Sequence, residues 1–177
     1  MIYLDLGCHN GESIVDFHEG RYAGINPAGY RSIGFDPLTE FLPQWEEITK
    51  KYGTQFINKA AFIHNGDIDF SKYGSDLAGS TVMRDKINWE KGEIKKVECL
   101  DIVEYVRGLE PPIVARMDLE GAEYPILQKL IDTDLIKKFS YVGFESHWRK
   151  MDGKYKRDED RILKTLHKLG INHNIFR

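Results

Sequence analysis

Short apolar runs alternate with stretches in which apolar residues recur every three or four positions, a pattern that predicts strands interleaved with helices. Residues 2–6 form the first strand, with Asp5 near its end; Gly7 and Gly11 mark a turn, and Glu12 opens a short helix with Ile14, Val15 and Phe17 available for burial. "RSIGFDP" repeats the theme, a strand that ends in Asp36 with Pro37 behind it. "LTEFLPQWEEITKKYG" predicts a helix with Phe41, Trp45 and Ile48 on one side, and "TQFINKAAFI" predicts a third strand. "DIDFSKYG" suits a returning strand, whereas residues 74–96 are polar and Gly-broken and predict a mobile loop.

The second half repeats the alternation. "VECLDIVEYVRG" predicts a brief strand and then a helix capped by the Asp101 carboxylate. "PPIVARMDLEG" is a buried strand ending in acids, and the helix after it places Ile126, Leu127, Leu130 and Ile131 on one side. "SYVGFESH" is the next strand, residues 157–170 form an amphipathic helix with Ile162, Leu163, Leu166 and Leu169 inward, and "INHNIF" closes the chain as a strand. The expected fold is α/β, a mostly parallel sheet with helices on both faces.

Composition narrows the function classes. With 177 residues, 41% hydrophobic, the chain predicts one domain over 1–177. Lys and Arg number 25 against 28 Asp and Glu, and this balance offers no general attraction to nucleic acid or to an anionic membrane. Cys8 and Cys99 lack metal-type spacing, which suits a reducing compartment. No apolar stretch reaches the roughly 20 residues of a membrane helix and no signal peptide opens the chain, so the expected location is the cytoplasm.

In an open α/β sheet, ligands bind beyond the carboxyl ends of the strands. Four predicted strands carry acids there: Asp5, Asp36, the pair Asp118 and Glu120, and Glu145 with His147. Asp36 follows Gly11 by about 25 residues, a spacing that suits an acceptor for ribose hydroxyls, and Asp5 is placed to hold the turn or meet an ammonium group. The turn offers Gly-permitted backbone approach and the helix after it offers free N–H groups. Yet G-x-G-x-x-G is not met, since His9 stands where a second Gly would, and no P-loop lysine follows. A ligand without a pyrophosphate is expected.

These residues resemble the FkbM-type S-adenosylmethionine-dependent methyltransferases. "DLGCHNGES" is similar to that family's D-x-G-x-N-x-G-E opening, "GFDP" to its ribose-binding acid, "VECLDIVEYV" to its V-x-x-L-D-x-L segment, "ARMDLEGAEYPIL" to its K-I-D-V-E-G-A-E-x-x-V-L signature and "YVGFESH" to its E-x-H strand. The resemblance covers roughly residues 1–147, with His9 in place of the usual Asn and Arg116 in place of the usual Lys. The chain also starts at the first strand, without the helix usual before it, which leaves a minimal enzyme or one domain of something larger open.

The resemblance implies a class I methyltransferase-like (Rossmann-like) fold and methyl transfer to a hydroxyl, that of a sugar or glycan by family analogy. S-adenosylmethionine would lie over the turn of Gly7, Cys8, His9, Asn10 and Gly11 beside Asp5, with its ribose on Asp36 and its adenine near Pro37, Leu38 and residues Lys59 to Ala61, Ala60 among them. Such a hydroxyl needs help to lose its proton. The candidates are Asp118, Glu120 and His147, with His147 as base, or a Mg²⁺ or Mn²⁺ ion held at Asp118, Glu145 and His147 with Glu120 beside them.

Plainer roles stay open. Asp118, Glu120 or Glu123 could cap the helix at Gly121, and His147 with Trp148 could be a surface pair. His18, His64, His167 and His173 are expected to be structural or solvated. The polar loop, with Ser80, Thr81 and Arg84, is a candidate acceptor lid, and "HWRKMDGKYKR" is either a second one facing an anionic acceptor or a solvated loop. Expected partners are a small-molecule or glycan acceptor and a second copy or a glycan-modifying assembly, with neither nucleic acid nor a membrane span. The rivals are a non-catalytic adenosyl-binding module and a dinucleotide-dependent oxidoreductase.

Overall fold

A computed structural model describes residues 1–176. Five parallel pairings order six strands as β3-β2-β1-β7-β8-β9. Here β1 is Ile2–Leu6, β2 Arg31–Phe35, β3 Gln55–Ile57, β7 Ile113–Met117, β8 Phe139–Glu145 and β9 Asn172–Phe176. A second sheet of three strands, β4-β6-β5, comprises β4 Ala60–Phe62, β5 Gly66–Lys72 and β6 Glu93–Asp101. The fold is α/β and Rossmann-like, with a mostly parallel main sheet.

Every residue of β1 is buried, because both faces of the sheet are covered. Tyr3 and Val114 point to one face, where they meet Ile14 and Phe17 of helix α1 (Glu12–His18) and Trp45 of α2 (Leu42–Tyr52). Leu4, Leu6, Ile113, Ala115 and Met117 point to the other, against α3 (Ile102–Arg107), α4 (Glu123–Asp132) and α5 (Lys156–Lys168). The period-two alternation of strand side chains thus divides the core into two layers.

Several boundaries differ from the sequence expectation. "TQFINKAAFI" is two strands in two sheets: the chain leaves the main sheet after Ile57 and joins the small one at Ala60. Asn58 lies at the break, its side-chain amide donating to the Asp36 carbonyl at 3.0 Å. The irregular segment ends at Gly92, since Glu93–Lys96 belong to β6 and pair with β5. Leu169 lies past the last turn of α5 and is 40% exposed, so that helix buries Ile162 and Leu166 instead. Asp101 does cap α3, accepting from the Val103 and Glu104 amides. Among the described residues, no helix is long and apolar enough to cross a membrane.

Candidate active site

Strand order reverses between β1 and β7, which opens a crevice outside their carboxyl ends. Gly7 and Asp118 meet in it. Gly7 has φ +82°, and a Cβ there would lie 1.9 Å from the Asp118 carbonyl oxygen. The turn after β1 therefore packs backbone to backbone on the turn after β7, which a side chain would prevent.

The turn after β1 uses its own amides. Gly7 and Cys8 N–H donate to the Phe35 carbonyl at 2.9 and 3.0 Å, and Gly11 N–H donates to the Cys8 carbonyl at 2.7 Å. His9 N–H donates to Asp36 Oδ2 at 3.0 Å, and Glu12 N–H to Asn10 Oδ1 at 3.1 Å. Five of the six amides from Gly7 to Glu12 thus have partners, and of the helix amides expected to be free, Glu12 N–H is on Asn10 and Ile14 and Val15 N–H are on the Gly11 carbonyl. A pyrophosphate would find few donors.

Two pockets flank this turn. One, on the β2 side, has an apolar floor of Leu38, Ala60, Ala61 and Phe70, with Phe35 and Pro37 beside Asp36. The segment from Leu77 to Val82 roofs it. This roof is tied down: His9 Nε2 lies 2.7 Å from the Asp76 carbonyl, Thr81 pairs with Ser71, and the Thr81 hydroxyl donates to the Glu120 carbonyl at 3.0 Å. Asp36 is 7% exposed, and burial raises its pKa to about 6, although the Leu38 and His9 amides favour its charged form. Asp36 is a buried carboxylate beside an apolar recess.

The second pocket is polar, lined by Cys8, Asn10, Ser13, Arg21, Tyr22 and Arg116 among others. Gly7, His9 and Asp118 line both pockets, so the two adjoin at the turn. Arg116 is held between Asp118 Oδ2, at 2.9 Å, and Asp5 Oδ1, at 3.3 Å.

Behind Asp118 lies a centre of carboxylates around one imidazole. His147 is fully buried; its backbone N–H donates to the Tyr124 hydroxyl at 2.9 Å, and Nδ1 lies 2.9 Å from Glu123 Oε1. Glu123 is also fully buried, and its other oxygen accepts from the Gly121 N–H at 3.1 Å. A carboxylate accepts only, so Nδ1 carries the proton and Nε2 is turned the other way. Nε2 lies 3.2 Å from Glu145 Oε1, 3.3 Å from Glu120 Oε1 and 3.8 Å from Asp118 Oδ1, yet none of these has hydrogen-bond geometry and the atom is buried without a partner.

Electrostatics separates the members. Burial disfavours charge on His147, but the Glu120, Glu123 and Glu145 carboxylates outweigh it and push the imidazole up to about 11. Burial raises Asp118 to about 6, with Arg116 offsetting part of that effect. Burial works against the Glu120 charge too, but His147, Lys150 and Lys86 hold it down at about 2. His147 is therefore a poor free base in this state, contrary to the role expected for it. Asp118, raised to about 6 and with a place in both pockets, is able to exchange a proton near neutral pH.

The other expected residues distribute as follows. Asp5 is fully buried, lines neither pocket, and is engaged by the Tyr3 and Ser13 hydroxyls and by Arg116; it anchors the turn from behind. Gly11 lies in neither pocket, caps α1 at φ +85° and faces Ile48 and Phe56. Pro37, Leu38 and Ala60 line the apolar pocket. Neither Asp118 nor Glu120 caps α4. His147 is not a surface residue, and His18 bonds Ser32 and stacks on Tyr52. Sequence reading missed the cationic side of the site. Lys86, from the polar loop, is 7% exposed, bonds the Gly79 carbonyl and lies 2.7 Å from Glu120 Oε2; Lys150 donates to Glu120 Oε1 at 2.7 Å.

No family model matches the chain, and no curated protein matches it either. Among solved structures, one similar in arrangement is titled as the methyltransferase FkbM from Methylobacillus flagellatus KT. It is 15% identical, with a TM-score of 0.49, over 96% of this chain. The chain spans 37% of the length of that protein.

Proposed function

We propose that the chain is an S-adenosylmethionine-dependent O-methyltransferase domain that acts on a hydroxyl, of a sugar or glycan by family resemblance, in a reducing compartment such as the cytoplasm. The observation that carries this is the pair of pockets, an apolar one at Asp36 and a polar one, that share Gly7, His9 and Asp118 as lining. Adenine suits Leu38, Ala60, Ala61 and Phe70, ribose hydroxyls suit the lone pairs of Asp36 left free by two amides, and an amino-acid tail suits the polar pocket. Bound there, S-adenosylmethionine would supply a methyl group on a sulfonium already activated for displacement by oxygen.

The chain then has two tasks. The pockets align the acceptor oxygen, a contribution that well-oriented sites supply in large measure. Asp118 takes up the hydroxyl proton, while Arg116 keeps its second oxygen in place at 2.9 Å. One observation favours a dinucleotide-dependent oxidoreductase instead: the parallel order β3-β2-β1-β7-β8-β9 is the one that dinucleotide folds use. The engaged amides after β1 weigh against it.

The test is an acceptor screen with methyl-labelled cofactor over neutral sugars, nucleotide sugars and acidic glycans, read as acceptor-dependent S-adenosylhomocysteine. Asp118→Asn should lose at least about 100-fold in turnover, the usual scale for a proton-transfer group, and still bind S-adenosylhomocysteine. Tight cofactor binding without turnover on any acceptor would identify a binding module.

A further inference from the structure

Among the described residues, the carboxylates of the centre behind Asp118 outnumber the lysine and arginine groups that pair with them. Five carboxylates, Asp5, Asp118, Glu120, Glu123 and Glu145, share three cationic groups: Arg116 bridges Asp5 and Asp118, and Lys86 and Lys150 both lie on Glu120. Glu123 and Glu145 have no lysine or arginine within ion-pair distance among the described residues. An unpaired buried carboxylate is costly, and among the described residues these five carboxylates outnumber the lysine and arginine groups by two, of which a protonated His147 balances one.

The geometry around His147 Nε2 shows where a cation would sit. With Nδ1 fixed on Glu123, Nε2 aims its remaining valence into a space bounded by Glu120, Glu145 and Asp118, and it is buried with no hydrogen-bond partner. One ligand atom from each of Asp118, Glu120, Glu145 and His147 falls within 4.8 Å of all the others. Metal–ligand bonds of about 2.1 Å put neighbouring ligands about 3 Å apart and opposite ones about 4.2 Å apart. The separations from Nε2, at 3.2, 3.3 and 3.8 Å, fit such a shell. Asp118 offers Oδ1, since Oδ2 is on Arg116.

We infer that Asp118, Glu120, Glu145 and His147 bind one divalent cation, with Glu123 as the positioning residue that orients the imidazole. Three carboxylate oxygens alone would suit Mg²⁺; the imidazole moves the preference to Mn²⁺ or Fe²⁺. A carboxylate behind a ligating imidazole is a common support of metal sites, and its loss typically weakens affinity 10–100-fold. Lys150, whose side chain is 47% exposed, can leave Glu120 when the cation enters; Lys86 is enclosed and stays. The inference rests on this geometry and not on the methyl-transfer reading. Where both hold, the cation occupies Asp118 Oδ1 and, in place of proton uptake by that oxygen, lowers the pKa of a hydroxyl bound beside it.

The experiment is Mn²⁺ titration of the purified chain without any adenosyl compound, followed by the loss of the free-ion electron paramagnetic resonance signal, with Mg²⁺ as competitor. The expected result is one bound Mn²⁺ per chain, nitrogen modulation of its spin echo from His147, and weak competition by Mg²⁺. Glu145→Gln, at a partly exposed side chain, should weaken binding at least 10-fold, and Glu123→Gln should weaken it 10–100-fold with an altered nitrogen signature. No binding up to 1 mM (roughly −4 kcal/mol) by the folded wild type would overturn the inference and leave His147 as the permanent counter-cation. Binding without nitrogen modulation, unchanged in Glu145→Gln, would overturn it equally. Neither failure touches the adenosyl pocket, which S-adenosylhomocysteine titration reads separately.

Discussion

Replacing Asp36 with asparagine separates what this carboxylate does for the fold from what it does for a ligand. Its burial raises the pKa from the ordinary 3.8 to about 6. Keeping it ionised at pH 7.5 therefore destabilises the ligand-free fold by about 3 kcal/mol relative to a neutral group. An asparagine side chain has the same shape and no charge, but its one oxygen cannot serve both the His9 and Leu38 amides, and leaving one of them without a partner costs about 1–3 kcal/mol. The two effects nearly cancel. Asp36→Asn should accordingly leave the melting temperature within roughly 4 °C of wild type at pH 7.5, or raise it slightly.

The pH dependence has a definite sign. A carboxyl with a raised folded pKa gains stability as pH falls through about 6 toward 3.8, so between pH 7.5 and 5 the wild type should gain on the variant. Ligand affinity should move the other way. A ribose hydroxyl that donates to a charged carboxylate contributes about 1.5–3 kcal/mol, so the loss of one such bond in Asp36→Asn should weaken S-adenosylhomocysteine binding about 10- to 150-fold. Scanning fluorimetry and titration calorimetry on the same two proteins measure both effects. Unchanged affinity would exclude Asp36 as the ribose acceptor, and a melting temperature at pH 7.5 lower by more than about 8 °C would show that its charge supports the fold.

Three further outcomes are expected. Gly7→Ala forces a Cβ to within 1.9 Å of the Asp118 carbonyl at φ +82°, and should lower stability by at least ~2 kcal/mol in denaturant titration. Asp101→Ala removes the cap of α3 and the 2.7 Å partner of Lys129, and should cost about 1–2 kcal/mol, with the difference from wild type fading as pH falls below 4. Lys86→Met frees the Gly79 carbonyl and one side of Glu120; limited proteolysis between residues 74 and 92 should speed up, and S-adenosylhomocysteine binding should weaken by about 1 kcal/mol because the roof of the apolar pocket loosens.

The sheet was legible because each buried strand is an apolar run closed by an acid or a glycine, and strand order then brings Asp36, Asp118 and Glu145 to one edge. The break at Asn58 was not legible: "FINKAAF" is apolar on both sides of it, and only tertiary pairing divides it between two sheets. Glu123 was hidden for another reason. An acid in the first turn of a helix is ordinary, and its partner His147 lies 24 positions away on another strand end. Lys86 and Arg116 were similarly ambiguous, one a charge in a polar loop and the other a variation on a lysine, until the fold placed them on Glu120 and Asp5. Period and punctuation report local structure, whereas ion pairs between strand ends depend on topology.

On this reading the pockets over Gly7 hold an adenosyl cofactor. Titration calorimetry with S-adenosylmethionine, S-adenosylhomocysteine and NAD⁺ decides whether they do. Micromolar binding of the two adenosyl compounds with no heat from NAD⁺ is the predicted result. Binding of NAD⁺ in preference to either, or no binding of any of the three by the folded chain, would contradict it.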